Sequence, residues 1–238
     1  MDLHVGTSGY SSKEWKGSFY PEDLNAKEML RFYGERLTAV EINNTFYRLP
    51  RAEVLEAWAE QVPERFRFSI KASRKITHFA RLKPEARDPT EYLLSSLETL
   101  GQRLGVVLFQ LPPNFKRDTE RLAAFLEILP PGMPAAFEFR HESWDDDGVH
   151  AALRERGMAL VCADTDDGDE DAAIVETGPL GYLRLRRVDY SVDDLRRWAD
   201  RLRATSWDEA FVFFKHEDEP SAPRLAARFA EVFAEGGS

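Results

Sequence analysis

Apolar positions along the chain fall into short alternating or continuous runs, separated by stretches with helical spacing. The runs are LHVGTS (3–8), AVEIN (39–43), FRFSIK (66–71), GVVLFQ (105–110), AAFEFR (135–140), ALVCAD (159–164), YLRLR (182–186) and AFVFFK (210–215). Each has the length and the β-branched or aromatic content of a strand. Between them, Leu122, Phe125, Leu126 and Leu129 form one apolar helical stripe. Leu195, Trp198 and Leu202 form a second, behind Ser191 as N-cap with Asp194 three residues on. Leu225, Phe229, Val232 and Phe233 form a third, ending near Gly236. Strand alternating with helix means a parallel sheet of the α/β class. Eight such units predict one (β/α)₈, TIM-barrel-like domain over residues 1–238. Residues 165–181 read as loop, so a regular outer helix is expected to be missing between strands six and seven.

In a barrel, alternate residues of each strand face the axis and the others face the helices. Putting the apolar set against the helices turns Glu41 and Asn43 inward from strand two. The same reasoning turns Arg67, Ser69 and Lys71 inward from strand three, and Leu108 and Gln110 from strand four. It adds Glu138 and Arg140 from strand five, Asp164 from strand six, and Arg184 and Arg186 from strand seven. The phase of strands one and eight is open. Barrel interiors are ordinarily filled by branched apolar side chains. Charges placed there must pair with one another or line a wet cavity. Two readings follow: a buried ion-pair lattice, and a site at the C-terminal strand ends, where barrel enzymes do their chemistry.

The inward list holds three acids and five bases, in a protein whose net charge is −10. A basic interior in an acidic protein points to a small anionic ligand such as a carboxylate or phosphate. The overall charge excludes whole-surface attraction to nucleic acid or an anionic membrane. Nucleic acid stays as the less favoured alternative partner, because residues 65–83 carry seven Lys or Arg with no acid, and Phe79 among them. No run reaches the ~18 apolar residues of a membrane span, so no membrane partner is expected. The opening MDLHVGTSGY has no basic, apolar leader pattern, and a cytoplasmic location is expected. Cys162 is the one cysteine, which excludes an internal disulfide and a cysteine-rich zinc motif.

GTSGY (6–10), W-K-G-S-FYP (15–21), VEINNTFYRLP (40–50), FSIKASRKITH (68–78), LFQLPPNF (108–115), FEFRHESW (137–144), YLRLR (182–186) and FVFFKHED (211–218) occur in this order. Together they resemble the YecE-like family, domain of unknown function number seventy-two, along nearly the whole chain. The resemblance implies a (β/α)₈-barrel-like fold in a cytoplasmic protein and no particular activity. Relatives often carry Arg-Leu-His-Gly on strand seven. This chain has Arg184-Leu185-Arg186-Arg187, which removes a histidine that would serve as ligand or acid.

General acid–base chemistry needs a carboxylate of tuned pKa beside groups that hold the substrate. Glu41 and Glu138 are the candidate pair, with Lys71 near both as the third catalytic candidate. Arg140 and Arg184, with Lys71, would orient an anion. Asn43 and Gln110 would supply neutral hydrogen bonds, and Tyr47, His78, His141 and Trp144 would complete the substrate contacts. Tyr10, Trp15, Tyr20 and Phe46 are expected on the same rim. This reads as a hydrolytic or isomerising enzyme; a metal-dependent phosphodiester-processing barrel and a non-catalytic binding protein are the alternatives. A mixed set of His78, Glu138, His141, Asp164 and His216 suits zinc or manganese. No H-E-x-x-H motif occurs, no metal site is assigned, and no cofactor is identified. DTDDGDED (164–171) misses the EF-hand register and reads as a solvated acidic loop. GTSG lacks the P-loop lysine.

Overall fold

The structure is a computed structural model, and it describes residues 1–166, 172–215 and 221–236. Eight parallel strands close into a barrel in the order β1 to β8. They are β1 (Asp2–Ser8), β2 (Ala39–Ile42), β3 (Arg67–Lys71), β4 (Leu104–Gln110), β5 (Ala135–Glu138), β6 (Ala159–Asp164), β7 (Leu180–Leu185) and β8 (Glu209–Phe214). Every expected strand is present within two residues of its expected bounds. Outside them lie α1 (Met29–Gly34), α2 (Ala52–Gln61), α3 (Arg87–Leu97), α4 (Thr119–Leu126), α5 (Asp147–Glu155), α6 (Val192–Arg203) and α7 (Ser221–Glu235). Among the described residues, no helix lies between β6 and β7, as the loop-like composition there predicts.

Three of the helices, α4, α5 and α6, start where a polar side chain supplies the first turn with an acceptor. Asp118 accepts from Arg121 N at 3.0 Å, and Ser191 with Asp194 forms a reciprocal capping box. The apolar stripes then bury against the sheet. Leu122, Phe125 and Leu126 do so from α4, and Leu195, Trp198 and Leu202 from α6. This outer layer is the main core.

A second, smaller core fills the barrel floor. It contains Ala39, Val106, Leu108, Ala136, Ala159, Leu180, Tyr182, Phe211 and Phe213. Phe211 and Phe213 resolve the open phase of β8, and His4, stacked on Phe211 at 4.7 Å, resolves that of β1. The interior is therefore apolar toward the N-terminal strand ends and polar toward the C-terminal ends.

One expectation about the interior needs correction. Asp164 faces outward: its register partner is Leu185, whereas Ala163 sits beside inward-facing Arg184. The run A-L-V-C-A-D is apolar at both parities, so one terminal acid could not set its phase. Asp164 instead accepts from Arg187 at 2.8 Å and from the Tyr190 hydroxyl at 2.8 Å, within the outer layer. Arg67 has the inward register of Ala39, as expected, but lies at the opposite end from the mouth, where it donates to the carbonyls of Glu64 and Phe66.

One seam is spliced by a side chain. The Tyr33 hydroxyl, from α1, accepts from Thr7 N at 2.8 Å and donates to Ala39 O at 3.0 Å. It thus stands between β1 and β2 and satisfies both backbones. Thr38 Oγ1 does similar duty one step below, accepting from Val5 N at 2.8 Å. Tyr33→Phe would leave a buried N–H and a buried carbonyl unpaired. The expected loss is about 1–3 kcal/mol in urea denaturation; an unchanged midpoint would mean that β1 and β2 close directly on each other.

Candidate functional site

The polar end of the interior is organised around Arg184. Strand parity sends this residue inward from β7, opposite Glu41 from β2 and Glu138 from β5. Its Nη1 donates to Glu138 Oε2 at 2.5 Å, and its Nη2 donates to Glu41 Oε1 at 2.9 Å. Glu41 is 0% exposed, and Glu138 and Arg184 are each 2% exposed. Charges so placed persist only when almost every lone pair has a donor.

Those donors are present. Glu41 Oε1 also accepts from Ser8 at 2.7 Å and Asn43 at 2.9 Å, and its Oε2 accepts from the Tyr182 hydroxyl at 2.8 Å. Because that hydroxyl proton goes to a carboxylate, the Ser69 hydroxyl at 2.7 Å must donate to Tyr182. Glu138 accepts from Gln110 at 2.8 Å and from Arg140 Nε at 3.0 Å. Gln110 then accepts from Lys71 Nζ at 2.6 Å, which links the lattice to the mouth.

Burial alone would raise both carboxyl pKa values, but the Arg184 guanidinium and these hydrogen bonds outweigh it. Glu41 is held below the ordinary carboxylate range, and Glu138, with Arg140 also acting on it, is lowered to about 2. The Arg184 pKa is raised: its two carboxylates outweigh its own desolvation. Lys71 moves the other way. Desolvation, then repulsion from Arg184, lowers its ammonium pKa to about 8, against the opposing pull of Glu41 and Glu138. Burial and the Lys71 and Arg140 charges likewise lower the pKa of His78.

Above the lattice the mouth is open. Lys71 Nζ sits 4.6 Å over the Phe46 ring, and His78 meets the same ring edge-on at 4.8 Å. A π-helical turn (Lys75–Phe79), followed by Arg81 and Leu82 at φ of +50° and +60°, aims His78 at this position. Such turns and left-handed residues cost energy and concentrate at working sites. On the other side, a cavity of about 540 Å³ is lined by Glu138, Arg140, Ala163, Asp166 and Arg186. The Arg186 side chain is partly buried. Among the described residues it has no hydrogen-bond or ion-pair partner, and desolvation with Arg184 and Arg140 nearby lowers its pKa.

The expected residues thus divide. Glu41, Asn43, Lys71, Gln110, Glu138, Arg140 and Arg184 converge in one connected network, and His78 stands beside it. Tyr47 lies on the outer rim, 68% exposed. His141 faces its own loop, where Nδ1 accepts from Ser143 N at 3.1 Å. Trp144 is 2% exposed, donates to Phe115 O at 2.6 Å and stacks on Phe139 at 4.4 Å, so it supports the wall from behind. Trp15 and Tyr20 are buried too, packed against each other under the β1–α1 loop. Aromatic content alone could not separate loop packing from lining. Ser8 and Tyr182 were not anticipated, although Tyr182 shares the parity of Arg184.

Among the described residues the mixed metal set does not assemble. Asp164 is on the far face of β6, His141 caps its loop, and His216 lies outside the described residues, as does most of the acidic loop 164–171 and the end of the FVFFKHED motif. Among the described residues, the one His–carboxylate group with ligand-like spacing is Asp2, His4 and Glu209, at the opposite end of the barrel.

Comparison with known proteins agrees with this architecture. The family model described as "Protein of unknown function DUF72" matches residues 4–237. UPF0759 protein YecE of Escherichia coli (strain K12) is 32% identical over 142 residues, 57% of this chain and 52% of YecE. UPF0759 protein YunF of Bacillus subtilis (strain 168) is 30% identical over 155 residues, 60% of this chain and 52% of YunF. The chain spans about half the length of these two relatives. A DUF72 family protein of Thermotoga maritima superposes with a TM-score of 0.81 at 27% identity, covering 99% of both chains. One from Enterococcus faecalis gives 0.78 at 18% identity, covering 98% of this chain and 95% of that one.

Two outcomes test the lattice. Glu138→Ala leaves Arg184 Nη1 and Arg140 Nε without their acceptor and is expected to lower unfolding free energy by roughly 3–5 kcal/mol. A near-zero change would mean that water enters and replaces the carboxylate. The depressed carboxyl values also set a pH window. On acidification the unfolded chain takes up protons first, so stability falls as pH drops from the ordinary carboxyl value of 4.5 toward about 2. The urea midpoint should therefore decline through that interval, and more shallowly in Glu138→Gln.

Proposed function

The chain belongs to the DUF72 family, and from the mouth of its barrel we propose an enzyme that acts on a small carboxylate- or phosphate-bearing substrate. The observation that carries this reading is Arg186. It is a partly buried cation that has no partner among the described residues, and it shares a cavity with Arg140, whose Nε alone is used by Glu138. Two guanidinium groups with unused N–H donors match the paired oxygens of a carboxylate or phosphate.

The expected acid–base pair changes role in this proposal. Glu41 accepts from four donors and Glu138 from three, and both are held ionised, so neither is suited to deliver a proton near neutral pH. They fix Arg184 and, through Gln110, the Lys71 amine. Lys71 is the proton acceptor. With its pKa lowered to about 8, a useful fraction is neutral near physiological pH. Placed beside the bound anion, it would take a proton from the adjacent carbon or from an attacking water. That fits an isomerising or hydrolytic step, with His78 within the same mouth for the return of a proton.

Binding should be visible before turnover is known. Inorganic phosphate or a small dicarboxylate is expected to raise the melting temperature of the wild type. Arg186→Ala and Arg140→Ala should abolish that rise, while Arg67→Ala retains it. An equal rise in Arg186→Ala would place the anion elsewhere. Independently, acylation of Lys71 followed by mass spectrometry should show a midpoint near pH 8 in the free protein. A bound anion favours the ammonium form, so the midpoint should move upward in its presence. A midpoint at the ordinary lysine value of 10.5 would remove Lys71 from the mechanism.

A further inference from the structure

A second surface, outside the mouth, combines features that a solvated face does not need. Tyr47, Phe79 and Tyr92 are 68%, 68% and 66% exposed, and they are the exposed aromatic side chains among the described residues. They sit on three neighbouring pieces: the turn after β2, the π-helical turn after β3, and α3. A groove of about 980 Å³ runs past Tyr47 and Tyr92 and is lined by Leu49, Pro50, Val54 and Leu93, while Phe79 stands outside its lining. Arg74 stands between two of the rings, 5.4 Å from Tyr47 and 5.3 Å from Phe79.

The charges of this surface lean one way. Arg48, Arg51 and Lys75 line the groove, and Arg74 rims it. None of the four has an ion-pair partner among the described residues, whereas many arginines elsewhere on the surface are paired with acids. Asp88 is the one carboxylate in the lining. In a protein of net charge −10, four cations without ion-pair partners among the described residues, beside three exposed rings, form a local exception. Exposed rings for stacking and cations for a charged backbone are the two components of a single-strand platform. An apolar or proline-rich peptide would use the rings and leave the cations idle.

We propose that the groove between α2 and α3 binds single-stranded nucleic acid, with bases stacked on Tyr47, Phe79 and Tyr92 and phosphates held by Arg48, Arg51, Arg74 and Lys75. This site stands independently of the anion chemistry in the mouth. Four phosphate contacts give a salt slope near −0.7 per contact, so affinity should fall roughly 50-fold between about 50 and 200 mM salt.

The test is fluorescence anisotropy of labelled oligothymidylate and oligouridylate with the intact protein at both salt concentrations. Binding is expected at the lower one. Arg74→Ala should weaken it and make the log–log salt slope shallower by about 0.7. Tyr92→Ala should weaken it about tenfold at either salt with the slope unchanged, as loss of one stacked base requires. Arg186→Ala, in the mouth, should leave it intact. These groove side chains are exposed, and their variants should keep the wild-type melting temperature. No anisotropy change at low salt overturns the proposal. So does binding that survives both groove substitutions, or displacement by polyglutamate as effective as by unlabelled oligonucleotide, which would make the surface a reader of acidic peptide instead.

Discussion

One guanidinium holds two carboxylates in the interior of this barrel, and the architecture around it follows from that constraint. Arg184 cannot neutralise both Glu41 and Glu138, and an uncompensated charge in a dry interior is among the costliest features a fold can carry. The remaining negative charge is met by Arg140 and, through Gln110, by Lys71 at the edge of solvent. Hydroxyl and amide donors from Ser8, Asn43, Tyr182 and Gln110 complete the lattice. The apolar floor beneath, with Phe211 and Phe213, keeps water from entering from below and leaves the charges strongly coupled.

The lattice and the mouth are consequences of each other. Saturating the carboxylates removes them as proton carriers, yet their field and that of Arg184 set the amine above them. Lys71 is lowered because desolvation and repulsion from Arg184 outweigh the attraction of the two acids. A buried ion-pair lattice and a reactive site, which from composition look like rival explanations, occupy different depths of one column of residues.

Much of this was legible in the chain, and the exceptions have physical causes. Strands such as AVEIN and AAFEFR alternate cleanly, so the inward placement of Glu41 and Glu138 follows from parity alone. ALVCAD does not alternate, so its sequence carries no signal for the face that Asp164 takes. The Ser191–Asp194 capping box was visible because it needs only local spacing. The Tyr33 hydroxyl between β1 and β2 was invisible because it depends on where α1 docks. Trp144 and Trp15 carry the same residue type as a ligand platform, and only packing shows that they are walls. The chain could indicate that bases outnumber acids inside, but not that Arg186 would be the one without a partner among the described residues.

The distances along the chain between the lattice partners matter as much as those across space. Arg184 lies 143 residues after Glu41 and 46 after Glu138, and Tyr182 follows Glu41 by 141. During synthesis the first five strands therefore emerge with their inward acids before the arginine that neutralises them exists. A half-barrel would have to bury Glu41 without its arginine and leave Glu138 to Arg140 alone, or keep its inner face wet. Closure of the barrel is thus tied to the arrival of β7. Early compact intermediates made of the N-terminal strands are disfavoured on electrostatic grounds, which leaves little room for a stable but incomplete barrel.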